Sequence, residues 1–202
     1  MTPLELLGLI TVAHDDVAPP APGSLVIRVR ELGAVSRVVP AIANDSETDT
    51  SEYESRLEAL FARGAVLPAP PGLVFRTPDT LKSWVEQNYV SLAEGVGFLS
   101  GRCEARVHVR AVGRGMTADE IEAARQEAVD ATRTLRHGAL ATVAVGEPTP
   151  PMLVSVAYLL KASEWNTFRD SVLDQEQRYP QLRFEATGPW IPYDFVRLDL
   201  GV

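Results

Sequence analysis

Cys103-Glu104-Ala105-Arg106-Val107-His108-Val109-Arg110-Ala111-Val112 decides how the second half of this chain folds. Cys103, Ala105, Val107, Val109 and Ala111 alternate with polar residues, the period of a half-buried strand. Downstream, Thr117 and Glu120 form a capping box that predicts a helix to about Arg136. Its face of Ile121, Ala124, Ala128, Ala131 and Leu135 is small, so the helix should lie close on a sheet. Ala139 to Val145 reads as a strand, followed by a proline-rich turn at Glu147 to Pro151 and a further strand at Met152 to Leu160. Ser163 is placed to cap a helix that carries Trp165, Phe168 and Val172 on one side. Leu182 to Ala186 is the last strand. The order is β-α-β-β-α-β, a ferredoxin-like domain.

Upstream, the pattern is a different mixture of strands and helices. Leu4 to Val12 is a first strand, and Asp15 to Gly23 is a turn region with three prolines. Leu25 to Arg30 reads as a strand, with Ala34 to Val39 as its hairpin partner across a turn at Glu31-Leu32-Gly33. Asn44 to Glu52 is an acidic, hydroxyl-rich loop. Asp45, Glu47 and Asp49 have the spacing of a calcium loop, but Thr50 stands where such a loop needs glycine, so a solvated loop is the reading. Ser51 and Glu54 suggest a capping box for a helix from Glu52 to Arg63, stopped by Gly64. Thr77 caps a second helix with Pro78 at its first position. Leu81, Trp84, Val85, Leu92 and Val96 share one face of it. The Gly95-Val96-Gly97 and Gly101 cluster marks a domain boundary. The chain is therefore α+β, with two small α/β-sandwich domains: an N-terminal one over 1–100 and a ferredoxin-like one over 101–202.

The 202 residues are 46% hydrophobic and 23% charged, ordinary for a globular protein. The net charge of −8 argues against nucleic acid and against electrostatic docking to an anionic membrane. No apolar run is long enough to span a bilayer as a helix, and Leu4 to Ala13 lacks the basic flank of a signal peptide. The single cysteine, Cys103, excludes an intrachain disulfide and fits a reducing, cytoplasmic setting.

Sites for chemistry are sparse. Gly113-Arg114-Gly115-Met116-Thr117-Ala118 matches a dinucleotide fingerprint between a strand and a helix. The acidic residue that would serve it, Glu147, lies 34 residues beyond Gly113, past the usual spacing of about 20. Thr117 as N-cap also starts the helix too late to hold a pyrophosphate at Gly115. His14, His108 and His137 have no metal spacing. Cys103 sits in a strand pattern and reads as a small buried hydrophobe. Arg28, Arg30 and Arg37 read as a solvated hairpin face. No cofactor, metal or catalytic residue is expected. A nucleotide- or small-molecule-binding enzyme or regulator on a ferredoxin-like scaffold is the alternative, because fold does not decide function.

After the last strand comes Thr187-Gly188-Pro189-Trp190-Ile191-Pro192-Tyr193-Asp194-Phe195-Val196. Two prolines stiffen a backbone that presents three aromatics. They are either a cover packed on the core or a contact surface. The stretch resembles the C-terminal signature of the F/L family of gas vesicle accessory proteins (GvpF/GvpL), close to TGPWPPYSFV, from which Ile191 and Asp194 depart. Val66, Leu67, Pro68, Gly72, Val74 and Phe75 are similar to a second family marker, "vLPlrFGtvF", in which Pro70 and Pro71 replace an arginine and a phenylalanine. Ala157-Tyr158-Leu159-Leu160 matches a third, "AyLv", and the middle of the chain, 113–150, is short for the family. The resemblance implies a non-catalytic, gas vesicle-associated accessory or minor structural protein of the cytoplasm. Its implied role is to assist assembly by binding the hydrophobic shell protein, together with other accessory proteins. Trp190, Pro192, Tyr193 and Phe195 are the candidate partner contacts.

Overall fold

The computed structural model describes residues 3–12, 23–39, 50–113, 115–148 and 151–196. The chain divides into two compact units, one reaching to Ser100 and including Val196, the other spanning Gly101–Phe195.

In the first unit, β1 (Leu4–Thr11), β2 (Ser24–Val29) and β3 (Leu32–Val38) precede α1 (Thr50–Phe61), β4 (Val66–Pro68), β5 (Val74–Phe75), α2 (Pro78–Gln87) and α3 (Tyr89–Leu99). The sheet order is β2-β3-β1-β4, with β5 also paired to β1. β1 is buried along nearly its whole length, as a central strand covered on both faces must be. Leu6, Leu9, Leu81, Val85 and Val96 meet in one core. The β2–β3 turn is tighter than the sequence suggests. It uses only Arg30 and Glu31, with Arg30 at φ 55°, and Leu32 and Gly33 already belong to β3. Gly33 is required by packing: a Cβ there would lie 2.8 Å from Val12 and 2.9 Å from Val26. α1 starts before Ser51, so the expected capping box at Ser51 and Glu54 does not form. The capping box of α2 is present, between Thr77 and Thr80.

The single helix expected after Thr77 is two. At Asn88 the side-chain amide and the backbone N–H both donate to the Trp84 carbonyl, at 2.9 and 3.1 Å. The chain leaves the first helix there and starts a second. Gly95 and Gly97, read as part of a boundary, lie inside α3. A Cβ on Gly95 would stand 3.0 Å from Leu67, so this glycine serves close approach to the sheet.

The second unit follows the predicted order. β6 (Arg102–Ala111), α4 (Ala118–Leu135), β7 (Ala141–Ala144), β8 (Met152–Lys161), α5 (Trp165–Arg178) and β9 (Leu182–Trp190) form an antiparallel sheet ordered β7-β8-β6-β9. The chain is α+β, and this unit has the ferredoxin-like topology. The capping box of Thr117 and Glu120 is present, and Ala124, Ala128 and Ala131 are buried. The small face therefore lets α4 approach the sheet. Tyr158 on β8 reaches that helix, donating its hydroxyl to the Thr132 carbonyl at 3.0 Å. Ser163 does not cap α5; it lies in a 3-10 turn, Ala162–Glu164, that precedes the helix.

Candidate functional site

The aromatic stretch is built on the end of β9, which runs on past Ala186 to Trp190. Between the pairs Arg106↔Thr187 and Glu104↔Trp190, β9 has one residue more than β6. That extra residue is a bulge, and Gly188 and Pro189 occupy it. The Gly188–Pro189 peptide is cis. Gly188 has φ +132°, and a Cβ on it would lie 2.7 Å from the Glu104 carbonyl oxygen and 3.4 Å from the Trp165 ring. Both the dihedral and the space select glycine.

Beneath the stretch lies a buried carboxylate. Glu104 is fully buried on β6. Its Oε1 accepts from Arg106 Nε at 2.7 Å, and its Oε2 accepts the backbone N–H of Asp194 at 3.0 Å. Arg106 also pairs with Asp194 through its second nitrogen at 3.2 Å. One arginine thus joins two carboxylates, and one of them holds the backbone of the 3-10 turn Tyr193–Phe195. Burial raises the Glu104 carboxyl pKa above its ordinary value, opposed by the Asp194 N–H and the Arg106 charge. The buried carboxylate is tolerated because each of its two oxygens accepts a hydrogen bond, one of them from the Arg106 guanidinium.

The clamp sorts the stretch into two sets. Ile191 is buried at 3% exposure, and Pro192 is also buried. Trp190 and Tyr193 are 42% and 38% exposed, and Phe195 is partly buried. Trp190 donates its indole N–H to Thr187 Oγ1 at 3.2 Å, which holds the ring at a set angle. The two departures from the family signature have clear places. Ile191 supplies apolar volume to a buried position, and Asp194 supplies the second carboxylate to Arg106.

The remaining sequence candidates separate. Cys103 is buried, and its thiol pKa is pushed up to about 11 by that burial, so the reactive thiolate is suppressed. His108 Nδ1 shares a hydrogen bond with Ser155 Oγ at 2.8 Å, and His137 Nδ1 lies 2.9 Å from the Thr134 carbonyl. His14, the acidic loop with Asp45, Glu47 and Asp49, and Arg114 of the glycine motif lie outside the described residues. The amide of Thr117 is taken by the Glu120 carboxylate at 2.8 Å, so the start of α4 already has its anion. The hairpin arginines do not form one solvated face: Arg30 is exposed, but Arg28 and Arg37 are partly buried. Arg37 is tied to Glu5 at 2.6 Å and to Glu52 at 2.8 Å, with its side chain only 13% exposed. Arg30 stacks on the Tyr89 ring at 4.5 Å, and Arg28 reaches the Val12 carbonyl at 3.5 Å. Among the described residues, no group of three His, Cys, Asp or Glu side chains is placed to hold a metal, and no helix is long and apolar enough to cross a membrane. Sequence reasoning missed Glu104 and Arg106. Their charged pair inside an alternating strand was the available signal.

The family model described as "Gas vesicle synthesis protein GvpL/GvpF" matches residues 20–127 and 110–197. The chain is 26% identical over 181 residues to gas vesicle protein F2 of Halobacterium salinarum, covering 82% of this chain and 79% of that protein. It is 25% identical over 141 residues to gas vesicle protein F1 of the same organism, covering 67% and 62%. The crystal structure of the gas vesicle protein GvpF from Anabaena superposes with a TM-score of 0.76 at 16% identity, covering 98% of each chain. That of GvpF from Microcystis aeruginosa gives 0.73 at 19%, covering 98% of this chain and all of the other. These two share the fold.

Proposed function

The chain belongs to the gas vesicle synthesis protein GvpL/GvpF family, and from that premise we propose that it acts without catalysis, as an assembly accessory that holds the hydrophobic wall subunit of the vesicle. The observation that carries this reading is the pair Trp190 and Tyr193, both large, both more than a third exposed, on a backbone clamped by Glu104. Exposed aromatics on a rigid base are what a contact surface uses. They offer apolar area, and little conformational entropy is lost when a partner arrives. The wall subunit before assembly presents apolar surface and open strand edges, which aggregate unless covered. The setting is the cytoplasm, and Pro192 and Phe195, less exposed than the two rings, belong to the same contact stretch.

The test is co-expression with the wall protein of the same genome, followed by pull-down and a measure of wall-protein solubility. Retention with raised solubility is expected. The double variant Trp190→Ala, Tyr193→Ala should lose most of the retention while its thermal stability changes by no more than about 1 kcal/mol, as for other surface changes. Undiminished retention by a folded double variant would remove the aromatic pair from the contact. Failure of the unaltered protein to retain the wall protein would overturn the reading itself.

A further inference from the structure

The clamp beneath the aromatic stretch holds two carboxylates against one guanidinium. Glu104 is fully buried, whereas the Asp194 and Arg106 side chains are 28% and 34% exposed. Water therefore reaches the edge of the cluster but not its inner carboxylate. Arg106 donates to Glu104 from the same strand. The turn Tyr193–Phe195 sets the Asp194 N–H on Glu104 and the Asp194 carboxylate on the same guanidinium. The residues paired with Glu104 across the ladder, Leu159 on β8 and Trp190 on β9, carry no charge. Further along this face of β6 stand Arg102, opposite Lys161, and His108, which shares its hydrogen bond with Ser155. Lys161 is engaged by Glu164 at 3.2 Å. With both carboxylates ionised, the three side chains of the clamp carry two negative charges and one positive.

We infer that this cluster is a proton-operated latch: a proton taken up by Glu104 tightens the hold on the turn Tyr193–Phe195, and its release loosens that turn. Closing the turn over Glu104 removes water from it and brings a second carboxylate to its arginine. Both effects favour the neutral carboxyl. The Asp194 N–H acts the other way, because it favours the ionised form. A carboxyl that holds a proton on one oxygen still accepts at the other, so the turn keeps its hydrogen bond. Opening returns Glu104 to water, where its proton affinity is ordinary. The closed form therefore binds the proton more tightly than the open one, and by linkage the proton favours closure. The direction of the Glu104 pKa agrees. Burial, the largest cause, raises it and the Asp194 charge adds to that, while the Asp194 N–H and Arg106 oppose them. The latch accordingly tightens as pH falls through this raised value and loosens as pH rises through it. Tyr193 lies in the turn and Trp190 pairs with Glu104, so pH sets how firmly the two contact rings are presented; that last step rests on the function proposed above.

The experiment uses the full chain alone, unaltered and as Glu104→Gln and His108→Gln. Amide exchange at Asp194, divided by the free-peptide rate at each pH, reads how often the turn opens. In the unaltered protein opening should become severalfold rarer as pH is lowered from about 7.5 to about 5. Glu104→Gln should lose most of that response, and His108→Gln should keep it. The carboxyl carbon shift of Glu104 in the unaltered protein should titrate over the same range, a reading that stands even where the glutamine variant does not fold. Opening that ignores pH, or that grows rarer as pH rises, would overturn the latch. A full response in folded Glu104→Gln, or its loss in His108→Gln, would also overturn it and assign the titration elsewhere. Retention of the wall protein should be higher at the lower pH. Equal retention at both, with the opening changed, would remove the latch from the contact. No retention at either pH would overturn the function proposed above and leave the latch standing.

Discussion

Gly188 sets how the contact stretch is carried. Its φ of +132° and the 2.7 Å approach of the Glu104 carbonyl leave no room for a side chain. Gly188→Ala should therefore lower the unfolding free energy by about 2–4 kcal/mol, through strain and forced displacement of β6. Chemical denaturation checks this, and a change below about 0.5 kcal/mol, the scatter of ordinary surface substitutions, would show that the bulge yields freely. Glu104 acts at the same scale, by holding the turn that follows. Its role was hidden in the sequence because a glutamate on a strand normally faces water. Only burial and the Asp194 N–H give it a structural task.

At the scale of elements, β6 joins three roles in alternate residues. One face packs Ala105, Val107 and Val109 into the core, and the other carries Glu104, Arg106, His108 and Arg110. His108 faces Ser155 on β8 and Glu185 on β9 across the ladder, with Arg106 and Arg110 along its own strand. Burial lowers the pKa of His108 from its ordinary 6.5, with Arg106 and Arg110 adding to the effect and Glu185 opposing it. The unfolded chain then takes up the proton first. Stability from this residue is present above pH about 6.5 and is lost as pH falls through the lower folded value. Melting curves between pH 8 and pH 5 should fall more steeply for the unaltered protein than for His108→Gln. Equal slopes would mean that the ring titrates as freely folded as unfolded. The elements themselves were legible where a local signal is strong. The Thr117–Glu120 and Thr77 caps, the alternation of β6 and the small face of α4 were all found. The break at Asn88, the early start of α1 and the unused Ser163 cap were not, because each depends on neighbours outside the segment.

At the scale of the whole molecule, the acidic balance bears on binding. A contact made by Trp190 and Tyr193 owes little to charge, so salt should not screen it. Retention of the wall protein should persist in 1 M sodium chloride, where the Debye length is about 3 Å. Release by salt would point to ion pairs and to a different surface. The sequence by itself determined the α+β class, the β-α-β-β-α-β order and the likeness to the gas vesicle family, because alternation, caps and a proline-rich signature are local. Only the tertiary structure decided which aromatics face outward, that Arg37 is spent on Glu5, and that Glu104 lies under the signature. Those outcomes depend on which distant strands become neighbours, and on the cost of burying a charge without a partner.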